Sequence, residues 1–429
     1  MPEQYYATFA IVVFLIVYAL IMSEKIHRTI VALAGAILVV IVGAIDYEQA
    51  IHHIDWNTIG LLIGMMIIVG ITKKSGVFEF LAIWSAKKAK GEPMAILVAL
   101  CTITAFASAF LDNVTTVLLI VPVTFSITRE LKISPMPFLI SEILAANIGG
   151  TATLIGDPPN IMISGPAGLS FMDFIINLAP VVIVIYIATI LILRVIYRKD
   201  LHAKEELKQR IMQFDAAKEL KDRVLMKKAL LVLALTVVGF MLHNVLHIEN
   251  SVIALAGATL LLLISREEPE EALLAVEWPS IFFFVGLFIL VGSLQENGVI
   301  AKIAEYAIEV TGGDLLKTGM LILWLSAIAS AFVDNIPFVA TMIPMIIEMG
   351  PQGMNVIGDL NPLWWSLALG ACLGGNGTLI GASANVIVSG MAAKEGHPMS
   401  FLGYMKIAFP LMIMSIVIST IYLYLFYLS

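Results

Sequence analysis

The chain has 429 residues, of which 60% are hydrophobic and only 13% charged, with a mean hydropathy of +0.96. Soluble globular chains are about 45–50% apolar and about 25% charged, so a soluble fold, disorder and a coiled coil are excluded, and the chain reads as an all-α polytopic membrane protein. The net charge of −7 gives no support to nucleic-acid binding, and two cysteines, Cys101 and Cys372, make no disulfide framework.

A membrane-spanning helix needs about 20 mostly apolar residues. Taken in chain order, spans are expected over 5–22, 28–45, 57–72, 138–165 and 173–197, then 228–246, 251–265, 279–294, 363–393 and 401–427. Residues 5–22 read as a first span and not as a cleaved leader, because no basic stretch precedes them and no small-residue cleavage site follows. Two further apolar stretches, 94–128 and 317–349, are interrupted; each reads as a re-entrant hairpin or as two full spans. The runs 76–90 and 299–310 are amphipathic and read as interfacial. The charged segment 198–227 separates two halves, 1–200 and 228–429.

Lys and Arg set the orientation. If 198–227 is cytoplasmic and spans are counted outward, 23 of the 25 basic residues fall in inner loops, Lys25 and Arg28 among them; only Lys302 and Lys317 fall outside. Both termini then face out, which places the chain in a plasma (inner) membrane with 198–227 inside.

The halves repeat. Ile30–Ala36 matches Val252–Ala258, Trp56 matches Trp278, and Ser108–Asn113 matches Ser330–Asn335, all at an offset of 222 residues. Gly149–Gly156 then matches Gly374–Gly381, and Asn160 matches Asn385, at 225. Each half has an odd number of crossings, so the repeats are expected to be inverted. Inverted repeats with Gly/Pro-broken hydrophobic segments are the sequence sign of a secondary transporter, not an enzyme, with its site near the midplane.

Polar residues inside the apolar segments mark that site. Asp112 and Asp334 are repeat-related, and a carboxylate at a helix centre costs about 2.5–3.5 kcal/mol on insertion scales. Each precedes an amide, Asn113 or Asn335; Thr115 and Thr116 follow in the first half only. A capping role for these residues is the alternative. The second cluster comprises Asn147, Gly149, Gly150, Thr151, Thr153, Asp157 and Asn160, with Pro158-Pro159 breaking the helix. Its counterpart comprises Gly374, Gly375, Asn376, Thr378, Ser383 and Asn385. Non-helical backbone at membrane depth belongs where it lines a cavity or is buried in protein. Ala382 replaces the acid at the position matching Asp157, so the scaffold repeats while the chemistry does not. Asp112, Asp157 and Asp334 are the candidates for proton or cation coupling.

Other features carry less. Glu142 lies near enough to the inner end of its span for its side chain to snorkel. Trp56, Trp278, Trp364 and Trp365 fit interfacial belts. The histidines have no metal-ligand spacing, Cys372 is a minor candidate contact for a thiophilic substrate, and no nucleotide motif or cofactor site is recognisable.

On the motifs Ser108–Thr116 and Asn147–Asn160, with their copies at Ser330–Asn335 and Gly374–Asn385, the chain resembles the ArsB/NhaD permease group of the ion transporter superfamily, to which the melanosomal P protein also belongs. The resemblance implies scaffold helices (5–90 and 228–310), one hairpin and one broken helix in each half, a homodimer through the scaffold, and elevator-type movement. It implies export of arsenite or antimonite in exchange for protons, or sodium/proton antiport, or organic-anion transport. Relatives that carry dicarboxylates have Ser-Asn-Thr at the hairpin tips; Asp at both tips here favours a cation or neutral As(OH)₃. A soluble ATPase docking at 198–227 is a further possible partner.

Overall fold

The computed structural model describes residues 3–23 and 25–428. Every apolar stretch singled out above is built from helix, with breaks at 109–112, 152–157, 333–334 and 375–382, and among the described residues there is no strand. Among the described residues, eight helices are long and apolar enough to cross a membrane. The first half contains α1 (Glu3–Ser23), α2 (Arg28–Val42), α3 (Tyr47–His52), α4 (Trp56–Lys74) and α5 (Val77–Lys88). There follow α6 (Pro93–Ser108), α7 (Asn113–Leu131), α8 (Met136–Thr151), α9 (Pro158–Ala167) and α10 (Phe171–Ile196). The central segment, expected as a plain charged linker, contains α11 (Glu205–Gln213) and a short 3₁₀ turn. The second half runs through α12 (Arg223–Leu246), α13 (Asn250–Ser265), α14 (Pro269–Leu274), α15 (Trp278–Glu296) and α16 (Val299–Thr311). It closes with α17 (Leu315–Phe332), α18 (Asn335–Met349), α19 (Asn361–Gly374), α20 (Ser383–Lys394) and α21 (Phe401–Phe426).

Small residues let the two halves interlock, as helix packing without a hydrophobic drive requires. A Cβ on Gly64 of α4 would sit 2.6 Å from the Ala254 backbone of α13, and one on Gly286 of α15 would sit 2.8 Å from that of Ala32 on α2. Gly64 and Gly286 are 222 residues apart, as are Ala32 and Ala254, so each half places a helix against its opposite number. The same economy joins each hairpin to the helix behind it: Gly149 meets Ala105, and Gly374 meets Ala327.

Two expectations fail. Trp364 and Trp365 do not lie in an interfacial belt: both are buried, because α19 is enclosed by α8, α9, α17, α18 and α21. Glu142 does not snorkel. It is 1% exposed, since α6, α7, α10 and α19 surround α8, and Thr124 Oγ1 donates to its Oε1 at 2.5 Å. Trp56 and Trp278 are exposed at the starts of α4 and α15.

Candidate functional site

Four helix N-termini converge on one cavity. The α6–α7 and α17–α18 connections turn within a few residues, so α7 starts behind Asp112 and α18 behind Asp334. Pro158-Pro159 cannot donate to a preceding turn, so α8 ends at Thr151 and the chain restarts as α9 behind Asp157. Gly374 to Ala382 unwinds in the same way before α20. The cavity, about 50 Å³, is lined by Asp112, Asn113, Asp157, Asn335 and Ser383, and also by Arg28, Glu277 and Ser280.

The freed backbone is held by side chains, as membrane depth demands. Asn160 Nδ2 donates to the carbonyls of Thr151 (3.2 Å) and Thr153 (2.8 Å). Asn385 Nδ2 does the same for Gly375 (2.7 Å) and Thr378 (2.9 Å). Thr153 and Thr378 each donate to a hairpin carbonyl, Ala109 and Ala331 respectively. Asn147 joins the halves, donating to Asn376 Oδ1 at 2.9 Å and Asn385 Oδ1 at 3.0 Å. The Asn113 amide lies within reach of Ser108 Oγ and, at 3.0 and 3.2 Å, of the Ala146 and Gly156 carbonyls. Gly150 has no room for a side chain beside Asn113, and Thr151 Oγ1 returns to Asn147 O.

The three aspartates differ in how they are held. Asp112 caps α7: Oδ1 accepts from Thr115 N at 2.8 Å and Oδ2 from Thr115 Oγ1 at 2.5 Å. Asp334 caps α18 through Ile336 N at 3.1 Å, and its Oδ2 accepts from Arg28 at 2.6 Å and Ser383 Oγ at 3.1 Å. Asp157 makes no cap bond; it is 2% exposed and faces the side chains of Cys372, Asn113 and Asn335. Thr116 does not reach the cavity: it is buried in α7 without a hydrogen-bond partner.

Arg28 is a site residue that reads from the sequence only as a loop charge. It starts α2, lies over the Phe283 ring at 4.9 Å, and donates to both Asp334 (2.6 Å) and Ser383 (2.7 Å). Beyond this trio a wider vestibule of about 340 Å³ opens, lined by Ile21, Ile26, His27, Phe332 and Asp334. Arg28 and Ser383 line both spaces and so form the wall between them. The position equivalent to Arg28 is Asn250, which instead faces Asn57, Ser164 and Gly165 in a separate pocket. Glu277 was also missed: it precedes α15 and reads from sequence as a loop acid. The only forward signal for either residue is its place at the start of a helix.

The model of the citrate transporter family (CitMHS) matches residues 18–370. The chain belongs to this family. Similar proteins include an uncharacterized transporter of Mycobacterium tuberculosis, 43% identical over 97% of this chain and 98% of that one. A 46 kDa membrane protein of Mycobacterium leprae is 43% identical over 98% of both. The human P protein is 32% identical over 95% of this chain and 58% of its own length. The crystal structure of the YdaH transporter of Alcanivorax borkumensis shares the fold, with a TM-score of 0.59 over 98% of this chain and 97% of that one at 12% identity. As a CitMHS-family member this is an integral membrane transporter.

Proposed function

We propose that this transporter exports arsenite or antimonite in exchange for protons, with Asp157 as the coupling acid. The observation that carries the reading is Asp157 itself. It is the one aspartate of the three with neither a cap bond nor a cation, and it lies on the cavity with two amides beside it. The cavity has room for a few waters, which suits a small hydroxylated solute. As(OH)₃ would donate its hydroxyls to Asp157 and Asp112 and accept from Asn113 and Asn335. Facing inward, Asp157 releases its proton and binds the solute; facing outward, it takes a proton and lets the solute go.

The recurrence in the second half of the glycine packing contacts and of the Asn160 and Thr153 bonds, at Asn385 and Thr378, supports the repeat reading, which we take to be inverted. In that arrangement the hairpins and broken helices move together against α2, α4, α13 and α15. The contact of Arg28, but not of Asn250, with a hairpin tip supports a state in which the moving elements lie toward the α1–α2 turn. A second reading, transport of a small organic anion, is favoured by Arg28 and the four helix N-termini, and agrees with the family's description.

Everted membrane vesicles with an acid interior test the first reading. Wild type is expected to accumulate arsenite, measured by elemental analysis, and Asp157→Asn is expected to lose that accumulation while still inserting. No accumulation by inserted wild type rejects metalloid export; sodium/proton exchange, followed with a pH-sensitive dye, and then citrate uptake become the readings to test.

A further inference from the structure

Several buried polar groups outside the cavity have no hydrogen-bond partner, and four of them lie on one side of the fold: Thr104 Oγ1, Thr116 Oγ1, Glu142 Oε2 and Tyr197 OH. They belong to a polar seam through an otherwise apolar cluster. On α6, Cys101, Thr104 and Ser108 recur at helical spacing; on α7, Asn113, Thr116, Thr124 and Thr128 do so. Asn113 is the cavity end of the seam. Thr124 lies about 16 Å further along α7 at 1.5 Å per residue, and holds Glu142. Beyond it, Cys101 is within Coulombic range of Glu142, and Tyr197 within range of both Cys101 and the exposed Asp200.

Carrying a carboxyl in this seam has a cost that an amide or a hydroxyl would avoid. No charged side chain acts on Glu142. Of the ionisable groups on or next to the helices around it, Cys101 on α6 is within Coulombic range of Glu142, and Tyr186 on α10 and Tyr197 just after α10 are within range of Cys101. On α21, Tyr404 donates to Asn376 O at 3.1 Å. From α7 only the Thr124 hydroxyl meets it, and Cys372 of α19 faces Asp157 instead.

We infer that Glu142 is a second proton-holding site, a fully enclosed carboxyl with the Thr124 hydroxyl as its hydrogen-bond partner. The step is a protonation alone, a carboxylate and a proton giving a carboxylic acid. The inference rests on the proton-coupled reading, so its test has a readout that needs no substrate.

Infrared difference spectra of the full chain in lipid, between acid and alkaline buffer, provide that readout. Wild type and Asp157→Asn are expected to share a titrating protonated-carboxyl band that Glu142→Gln lacks. In the vesicle assay Glu142→Gln is expected to lose proton-driven arsenite accumulation while keeping arsenite exchange at equal pH. If arsenite is the wrong substrate, the vesicle arm is silent for wild type too, yet the band still separates the variants. A Glu142→Gln spectrum identical to wild type overturns the inference. Should that variant fail to insert, Thr124→Val keeps the carboxyl and removes its one partner; the band must then shift, and an unshifted band overturns the inference equally.

Discussion

At the scale of residues, the site is built from pairs whose members lie far apart in the chain. Arg28 and Asp334 are 306 positions apart, and Asn147 reaches 229 positions to Asn376. Removing one partner of a shielded ion pair leaves the other uncompensated. The side chains here are 26% and 14% exposed, so solvent screens part of the effect. Arg28→Gln is expected to destabilise by about 1–3 kcal/mol, and adding Asp334→Asn is expected to recover most of it, read as melting temperature in detergent. Strict additivity of the two would mean that the pair contributes nothing. Asn147→Ala strips the donor from two buried amide oxygens and is expected to cost about 1–3 kcal/mol for each, with Asn147→Asp no better, since it also removes the NH₂ group. The candidate aspartates and amides stood out in the sequence because polar residues inside apolar runs are rare; Asp112 with Asp334, Asn113 with Asn335 and Asn160 with Asn385 also came in matched pairs, whereas Asp157 and Asn147 did not. Arg28 did not stand out: a basic residue at the end of a span reads as an orientation signal, and only the return of a hairpin 306 residues later turns it inward.

Among the elements, the breaks were readable and the enclosure was not. Gly-Gly and Pro-Pro announce where α8 gives way to α9, and the structure unwinds between Thr151 and Pro158. Nothing in α19 announces that it is surrounded on every side, because an apolar helix facing lipid and one facing protein have the same composition; Trp364 and Trp365 were misread for that reason. Glu142 was misread for the converse reason: proximity to a span end implies water only if no neighbouring helix covers it. Close approach gives a graded test along one helix. On α4, a Cβ at Gly60 would meet the Ser251 side chain at 3.0 Å, whereas one at Gly64 would meet the Ala254 backbone at 2.6 Å. Gly64→Ala is therefore expected to cost about 1–3 kcal/mol and Gly60→Ala less, measured as the fraction of chain that survives heating in detergent without aggregating. Equal tolerance at both positions would mean that α4 and α13 do not pack this closely.

For the whole molecule, orientation is the expectation most open to direct test. Cys101 and Cys372 are fully buried, which leaves a silent background for thiol labelling. With an impermeant maleimide, Gln209→Cys in α11 is expected to react only in everted vesicles and Lys302→Cys in α16 only in intact cells. Labelling of both from one side would break the parity on which the inverted reading depends. The apolar faces of α1, α10, α12 and α21, with exposed Leu15, Val195, Val245 and Leu425, present the surface that lipid would cover.

The wall between vestibule and cavity has an electrical consequence. Arg28 belongs to the helices proposed to stay still, while Asp334 and Asp157 belong to those proposed to travel. A carboxylate that crosses part of the bilayer without its guanidinium carries charge through the membrane field, and a protonated one does not. Each full elementary charge moved is worth about 2.3 kcal/mol per 100 mV. The empty and loaded legs of the cycle would therefore feel the membrane potential differently, and a resting cell could tilt the direction of transport by voltage as well as by pH.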